Sequence, residues 1–216
     1  MKKSMLFVMT SWAILSVATM PAQAEGDAEA GKIKSATCVA CHSADGNSLA
    51  PMWPKLAGQS SNYIVKQLTD FKAERRTDPS MAPMVAPLSE QDIKDLAAYF
   101  SSQTVNSGNR SQPDLVKFGK QIYRKGKARP PVTACVGCHG LKGAGNYVTL
   151  ESINVSSIIE APALGSQHAE YIIKQLKAFQ DETRTNDVGK IMRNVAEGLT
   201  EEEIKAVAEY ITGLNR

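Results

Sequence analysis

Two five-residue motifs place a histidine directly after a pair of cysteines. They are Cys38-Val-Ala-Cys41-His42 and Cys135-Val-Gly-Cys138-His139, and they contain all four cysteines of the chain. In one turn of helix, two sulfurs at this spacing reach the two vinyl groups of one porphyrin, while the adjacent imidazole faces the iron. The motifs therefore predict two covalently attached haem c groups, with His42 and His139 as iron ligands.

Three other uses of paired cysteines explain less of the pattern. Zinc sites, thioredoxin-like redox pairs and structural disulfides all leave the two histidines without a role. Zinc ribbons also place their two cysteine pairs roughly 15 to 20 residues apart. Here Cys38 and Cys135 are 97 residues apart. Haem attachment is the interpretation that uses every residue of both motifs.

The chain contains an internal duplication. The segment 54–71 recurs as 162–179 at a constant offset of 108, and the segment 88–99 recurs as 199–210 at an offset of 111. Apolar residues in these segments recur every three or four positions, as they do on one face of an amphipathic helix. The duplication predicts two domains of the same kind.

The last helix of each domain has a clear start signal. Ser89 with Asp92, and Thr200 with Glu203, form the Ser/Thr-x-x-acid pattern of a capping box. No segment shows the alternation typical of strands. We predict an all-α fold with domains at 25–105 and 115–216, each a small helical bundle around a covalent haem. Residues 106–114, rich in Ser, Asn and Gln, form the predicted linker.

Methionines at matching positions supply candidates for the sixth iron ligand. Met192 is seven residues before Leu199, and the residue seven before Leu88 is Met81. Met84 lies in the same loop as Met81 and is a rival ligand. Alignment from the C-terminal side favours Met81 and leaves Met84 as a core-filling residue. Methionine ligation closes the iron to other ligands and raises its potential, as an electron carrier requires.

Several residues near the motifs have two open interpretations. The carbonyls of Pro54 and Pro162 could accept a hydrogen bond from the haem-ligating imidazoles, or these prolines could simply open the turn before the next helix. Arg76 and Arg184 recur near the ligand loops, where each could pair with a haem propionate or end a solvated helix. His168 is predicted to start a helix rather than to ligate iron.

The N-terminus resembles an export signal. Lys2 and Lys3 precede an apolar stretch from Met5 to Met20 and then the small-x-small sequence Ala22-Gln23-Ala24. We predict a signal peptide at 1–24, cleavage before Glu25 and a periplasmic location. The alternative is a retained membrane anchor, but the apolar stretch is shorter than the roughly 20 residues that a spanning helix needs.

The charge of the exported chain gives no reason to expect nucleic acid as a partner. Loss of Lys2 and Lys3 reduces the 25 basic residues to 23, against 22 acidic residues. Residues 25–108 carry a net charge of −2, and residues 109–216 carry +3. This dipole could orient the molecule toward a charged partner, although ordinary variation of surface charge explains it equally well.

At these residues the chain resembles cytochrome c4, a bacterial family with two fused class I cytochrome c domains. The resemblance covers residues 25–216 and includes both Cys-x-x-Cys-His motifs, Ala44-Asp-Gly-Asn47, both Pro-x-Leu turns and both final helices. It implies that Met81 and Met192 ligate iron. It also implies a high-potential carrier, periplasmic or membrane-associated, with redox protein partners: a cytochrome bc1-type donor and a terminal oxidase as acceptor.

We therefore expect a non-enzymatic electron carrier. Its predicted site residues are Cys38, Cys41, His42, Met81, Cys135, Cys138, His139 and Met192. Two other hypotheses stay open. One is the electron-accepting subunit of a dehydrogenase, which would have a permanent catalytic partner of flavoprotein type. The other is a di-haem peroxidase, which needs an iron with an open or displaceable ligand and is disfavoured by the methionines in both domains.

Overall fold

The structure is a computed structural model and describes residues 26–149 and 158–216. The predicted signal peptide, residues 1–24, and the predicted cleavage site before Glu25 lie outside the described residues. Within the described ranges, no helix is both long enough and apolar enough to cross a bilayer. Residues 103–112 contain no helix and connect two domains of similar architecture.

The first domain is a set of helices packed around an open cleft. Its helices are α1 (Ala28–Lys34), α2 (Val39–His42), α3 (Ser61–Lys72), α4 (Ala82–Val85) and α5 (Glu90–Ser102), with a 3-10 turn at Ser35–Thr37. Helix α5 contacts both α1 and α3. Ile64, Leu96 and Phe100 are buried where α3 and α5 meet, so the domain core lies beside the cleft.

The second domain repeats this arrangement. Its helices are α6 (Val116–Lys125), α7 (Val136–His139), α8 (Ala169–Gln180), α9 (Ile191–Glu197) and α10 (Glu201–Thr212), with 3-10 turns at Pro113–Leu115 and Val188–Lys190. Helix α10 contacts both α6 and α8, as α5 does α1 and α3. Ile122, Ile204 and Val207 form part of the buried core between these helices.

Glycine lets the first and last helices of each domain cross at close range. A Cβ on Gly31 would lie 2.0 Å from the carbonyl oxygen of Asp95, and a Cβ on Gly119 would lie 1.9 Å from that of Ala206. No real side chain tolerates such distances, so the crossings require glycine. The two glycines also align α1 with α6, a match that the sequence repeat did not reveal.

The predicted capping boxes are confirmed. The Ser89 hydroxyl accepts from the Asp92 amide at 3.1 Å, and the Asp92 carboxylate accepts from the Ser89 amide at 2.8 Å. Thr200 and Glu203 form the same pair of bonds, at 3.3 and 2.8 Å. Each box satisfies amides at the start of a final helix that would otherwise lack a partner.

Two short antiparallel hairpins in the second domain were not expected from the sequence. They are formed by β1 (Lys127–Ala128) with β2 (Pro131–Val132), and by β3 (Asn146–Thr149) with β4 (Ile158–Ala161). Strands of two to four residues are too short for alternation to be recognised. The molecule is mostly helical, which confirms the predicted all-α architecture of two tandem domains.

Candidate haem-binding sites

Both Cys-x-x-Cys-His motifs form a single helical turn at the wall of a cleft. The amide of His42 donates to the Cys38 carbonyl at 2.9 Å, and the amide of His139 donates to the Cys135 carbonyl at 2.8 Å. All four cysteines are free thiols. The thiols of one motif therefore lie on one turn, at the spacing needed to bond two vinyl groups of one porphyrin.

Each motif histidine is buried and held through one ring nitrogen. His42 is 5% exposed and His139 is 6% exposed. Nδ1 of His42 donates to the carbonyl of Pro54 at 2.9 Å, and Nδ1 of His139 donates to that of Pro162 at 3.0 Å. Of the two interpretations that the sequence left open for Pro54 and Pro162, the structure supports the one in which their carbonyls accept from the imidazoles. Because Nδ1 carries the proton, Nε2 is left with a free lone pair for iron.

Burial also sets the protonation of these histidines. It lowers the pKa of both imidazoles, and it outweighs the opposing effect of the bond to the proline carbonyl. The neutral imidazole is the form that binds a metal. Burial thus favours the neutral, metal-binding form of both rings.

A tyrosine fixes the chain just beyond each motif, but the two tyrosines come from different helices. The Tyr99 hydroxyl, on α5, donates to the carbonyl of Ala44 at 2.8 Å. The Tyr123 hydroxyl, on α6, donates to the carbonyl of Gly140 at 2.6 Å. The repeat counterpart of Tyr99 is Tyr210, which instead accepts a hydrogen bond from Arg124. The two domains thus hold the chain just beyond the Cys-x-x-Cys-His motif with tyrosines that are not equivalent in the repeat.

The structure supports equivalent positions for Met81 and Met192. The amide of Leu88 donates to the carbonyl of Val85, three residues before it, and the amide of Leu199 donates to the carbonyl three residues before it in the same way. This match places Val85 opposite Ala196 at the offset of 111. Four residues further back the same offset pairs Met81, just before α4, with Met192, inside α9, and both methionines line the cavity. Met84 then corresponds to Val195, a residue packed against the core. Met84 itself is 43% exposed and also lines the cavity, so the core-filling role predicted for it is not seen in the structure.

A continuous cavity of about 720 Å³ joins the two clefts. All the predicted site residues of both domains except Cys41 line it, together with apolar residues such as Leu68, Phe100, Ile172 and Leu176. An apolar slot with thiols and a neutral imidazole on one wall is the donor set that a covalent porphyrin requires. Among residues 26–149 and 158–216, no cluster of three or more metal-binding side chains forms an alternative site.

Arg76 and Arg184 hold the two domains together in a nearly symmetrical network. Arg76 donates to the Tyr171 hydroxyl at 3.0 Å, and Arg184 donates to the Tyr63 hydroxyl at 3.0 Å. Each guanidinium also lies 4.5 Å over the phenylalanine ring of its own domain. Arg184 is only 8% exposed. The interpretation of Arg184 as a solvated helix end was therefore wrong, because the side chain is buried and two of its partners, Tyr63 and Gln67, lie across the domain interface.

The glutamines at the centre of this network are also related by the repeat. Gln67 accepts from Arg76 at 2.8 Å and from Arg184 at 3.0 Å. Gln175 accepts from Arg184 at 2.6 Å and from Arg76 at 2.9 Å. Each arginine is thus bonded to a glutamine from both domains. The result is a polar centre between the two clefts in which each arginine has several acceptors.

Asp70 breaks the symmetry of the interface. Its repeat counterpart is Ala178. The Asp70 carboxylate accepts from Lys66 at 2.5 Å, from Arg75 at 2.8 Å and from Asn186 of the second domain at 2.7 Å. Desolvation opposes the charge, but these donors hold the pKa of Asp70 below its ordinary value. The interface therefore contains a stabilised carboxylate on the first-domain side only.

His168 lies at the start of α8, as predicted, and also touches the first domain. Its Nε2 is 2.9 Å from the carbonyl oxygen of Ser48. Burial lowers the pKa of this imidazole, against the effect of the bond to Ser48. His168 contributes to the interface and is not among the residues that line the haem clefts.

Glu160 is a cleft residue that sequence reasoning missed. It corresponds to Met52 at the repeat offset of 108, and both line the cavity. Its Oε2 atom is buried and has no hydrogen-bond partner within the described part of the chain. Glu160 lies on β4, in a connection of 23 residues from His139 to Pro162, whereas only 12 separate His42 from Pro54. This extra length has no counterpart in the first domain, so the repeat gave no signal.

The chain is similar to known two-domain haem proteins along nearly all of its length. The family model for cytochrome c matches residues 28–104 and residues 116–215, one match in each domain. Cytochrome c4 of Pseudomonas aeruginosa is 45% identical over 195 residues, which are 90% of this chain and 92% of that protein. The crystal structure of reduced recombinant cytochrome c4 from Pseudomonas stutzeri has a TM-score of 0.79 and 46% identity, covering 88% of this chain and 100% of that chain.

A more distant relative is named for a different role. The thiosulfate dehydrogenase electron acceptor of Stutzerimonas stutzeri is 30% identical over 189 residues, which are 83% of this chain and 79% of that protein. The aligned residues make up 83% of this chain, so they include parts of both domains.

Proposed function

We propose that this chain, which belongs to the cytochrome c family and within it to the di-haem cytochromes c4, carries electrons through the periplasm toward a terminal oxidase. Family membership establishes that the protein is a di-haem electron carrier and not an enzyme, and that it holds two covalently attached haem c groups. The periplasmic location, the iron ligands and the direction of electron flow belong to the proposal.

The proposed haem sites use the predicted residues of each domain. Cys38 and Cys41 would bond the first porphyrin, and His42 and Met81 would ligate its iron. Cys135, Cys138, His139 and Met192 would do the same in the second domain. The bound group supplies a one-electron ferric/ferrous couple. The protein orients the imidazoles through the proline carbonyls, excludes water with its apolar walls and leaves no ligand position open to a substrate.

The equivalence of the two sites is the observation that carries the proposal. The imidazoles of His42 and His139 donate to proline carbonyls at 2.9 and 3.0 Å, and methionines stand at matching positions in both clefts. A peroxidase needs an iron with an open or displaceable ligand, so its two domains should differ at this point. Two closed irons are the arrangement of a carrier that cycles between oxidised and reduced states.

A membrane assay tests the proposed direction of electron flow. Purified protein, reduced with ascorbate, is mixed with washed membranes of the source organism, and its reoxidation is followed at the haem absorption bands. We expect reoxidation that needs oxygen and is blocked by cyanide. Reoxidation unaffected by cyanide, or none at all, contradicts the oxidase as acceptor.

The periplasmic location has its own test. Osmotic release of the periplasm, followed by intact-mass measurement, should yield a chain that begins at Glu25 and carries the mass of two haems. Recovery of the protein only from the cytoplasm contradicts this part of the proposal.

A second candidate function is electron acceptance from a specific dehydrogenase. The similarity to a thiosulfate dehydrogenase electron acceptor favours it. Purification of the untagged protein from its own organism separates the two candidates. A dehydrogenase that stays bound in stoichiometric amount through gel filtration supports the second one, and a protein that elutes alone supports the free carrier.

A further inference from the structure

Most of the charged residues that line the cavity between the two haem clefts balance one another. Four of them lie in ion pairs, which are Lys66 with Asp70, Lys174 with Asp78, and Asp187 with Arg193. Arg76 and Arg184 stand at equivalent positions of the repeat, one in each domain. An ion pair carries no net charge, and the two arginines act on the two clefts in the same way. These residues therefore give neither cleft a different charge from the other.

Lys55 brings a charge to the first cleft that the second cleft lacks. It lines the cavity and is 6% exposed, and the residue at the repeat offset of 108 is Ala163. Its Nζ atom donates to the carbonyls of Asn106 and Ser107 at 2.8 and 3.3 Å, and in the described part of the chain it forms no ion pair. Burial lowers the pKa of this amine, and the charge of Arg216 acts in the same direction. The first cleft therefore contains a buried ammonium without a carboxylate.

Glu160 gives the second cleft the opposite charge. It lies two residues before Pro162, whose carbonyl accepts from the His139 imidazole at 3.0 Å. Its Oε2 atom is buried without a hydrogen-bond partner, and Glu160 forms no ion pair, among the described residues. The equivalent residue of the first domain is Met52, which has no charge. The two clefts therefore differ by a cation on one side and a carboxylate on the other.

The other charge differences between the domains cancel or act in the opposite direction. Asp70 lies on the first-domain side only, but it pairs with Lys66 at 2.5 Å and with Arg75 at 2.8 Å. Residues 25–108 carry a net charge of −2 and residues 109–216 carry +3, which alone would favour reduction of the second haem. Salt screens exposed charges over about 8 to 10 Å, whereas it screens buried charges much less. At physiological salt, the charges that line the clefts therefore dominate.

We propose that Lys55 and Glu160 make the first-domain haem the easier one to reduce, so that an electron received by the second domain passes to the first, an inference that rests on the proposed carrier function. A positive charge disfavours the ferric form, because that form carries one more positive charge than the ferrous form. Lys55 therefore raises the potential of the first site, and Glu160 lowers that of the second. In the internal step one electron leaves the ferrous iron of the second domain and reduces the ferric iron of the first, and no proton or atom moves.

A redox titration followed by NMR tests this order in protein labelled with 13C-methyl methionine. The methyl group of a methionine bound to ferrous haem iron gives a signal far upfield, so each haem reports its own reduction. The signal that is missing from Met192→Leu identifies the second haem. We expect the first haem of the wild type to be reduced at the higher potential. The equilibrium constant for electron transfer from the second haem to the first should be about 10 or more, which corresponds to 59 mV or more.

Two variants remove the charges separately. Lys55→Met keeps a long side chain without the ammonium, and Glu160→Gln keeps the shape of the side chain without the carboxylate. Each should lower the equilibrium constant about threefold or more, the first by lowering the potential of the first haem and the second by raising that of the second haem. Lys55→Arg keeps the charge and should keep the wild-type order. Lys32→Met removes an exposed amine from the same domain and is the control, which should leave the constant nearly unchanged.

Salt dependence separates the buried charges from the exposed ones. Because the net charges of the two domains oppose the proposed order, added salt should maintain or widen the difference between the two potentials. A second haem that is reduced first, a difference that closes as salt is added, or an equilibrium constant that is unchanged in both Lys55→Met and Glu160→Gln overturns the proposed order while the carrier function stands. Wild-type haems that do not titrate reversibly overturn the carrier function itself.

Discussion

The side-chain amide of Gln59 forms two hydrogen bonds with the backbone of Ala163 in the other domain. Its nitrogen donates to the Ala163 carbonyl, and its oxygen accepts from the Ala163 amide, both at 2.9 Å. Gln167 makes the same two bonds with Lys55, also at 2.9 Å. Both pairs obey the repeat offset of 108, so the domains meet about a pseudo-twofold axis. Each glutamine secures the segment that follows the haem-positioning proline.

Replacement of one glutamine should weaken the contact between the domains. Gln59→Met keeps the length of the side chain but leaves the buried amide and carbonyl of Ala163 without partners. Each such group costs about 1 to 3 kcal/mol. We expect the free energy of unfolding to fall by roughly 2 to 6 kcal/mol on that basis, measured by denaturant titration. Gln112→Met, at an exposed site, is the control and should change stability little; an equal loss in both variants contradicts the role of the contact.

A methyl group at the helix crossing of the second domain should be severely destabilising. In Gly119→Ala the new Cβ would lie 1.9 Å from the carbonyl oxygen of Ala206, so α6 and α10 must separate. We expect a loss of more than about 3 kcal/mol in thermal or chemical unfolding, typical of overpacking at its upper end. Gly137→Ala adds the same methyl group on α7, where no atom lies within 4 Å. This control should unfold like the wild type.

Acid should weaken the interface through Asp70. Its pKa is lowered in the folded protein, so its contribution to stability is complete above the unfolded value of about 3.9 and is lost as the pH falls through the folded value. Asp70→Asn should therefore be less stable than the wild type at pH 7, and the difference should shrink below about pH 4. Unfolding curves between pH 3 and pH 7 measure this difference. Asp114→Asn, at an exposed site, should show no comparable change, and a pH-independent difference for Asp70→Asn contradicts the assignment.

The two candidate methionines of the first domain can be separated by spectroscopy. Met81→Leu should abolish the methionine-to-iron absorption band of one of the two haems and lower its midpoint potential, because a thioether ligand that favours the ferrous over the ferric iron is lost. Met84→Leu should keep the band and both potentials. Loss of the band in Met84→Leu, with Met81→Leu unchanged, would reverse the assignment.

Glu160 should lower the potential of the second haem. A buried negative charge beside a haem favours the ferric form, since that form carries one more positive charge. Glu160→Gln should raise one midpoint potential by tens of millivolts, where 59 mV is a tenfold change for a one-electron couple. Glu170→Gln removes an exposed carboxylate and serves as the control. Equal shifts in both variants would show that Glu160 has no special position.

Much of the haem site could be predicted because its signals are local or repeated. The Cys-x-x-Cys-His motifs, the capping boxes and the methionine positions depend on spacings within one short segment. The proline carbonyls were open to two interpretations. The sequence could not decide between them, because His42 and Pro54 are 12 residues apart in a loop of irregular conformation, and it is the structure that shows the hydrogen bond. The duplication then extended each local result to the second domain.

The interface could not be predicted, because its contacts join residues about 100 positions apart. Arg76 meets Tyr171, and Arg184 meets Tyr63, only when two folded domains pack in one orientation. The same residues in a single domain would be an exposed tyrosine and an exposed arginine. Glu160 escaped notice for a different reason, since its strand lies in a connection that is 11 residues longer than the one from His42 to Pro54 in the first domain.

A coulometric redox titration of the purified protein tests the central claim most directly. The account predicts that each polypeptide takes up two electrons in reversible one-electron steps, and that the oxidised protein shows the methionine-to-iron band for both haems. Uptake of a single electron, or a haem that lacks this band and binds cyanide or peroxide readily, would contradict a carrier with two closed haem sites.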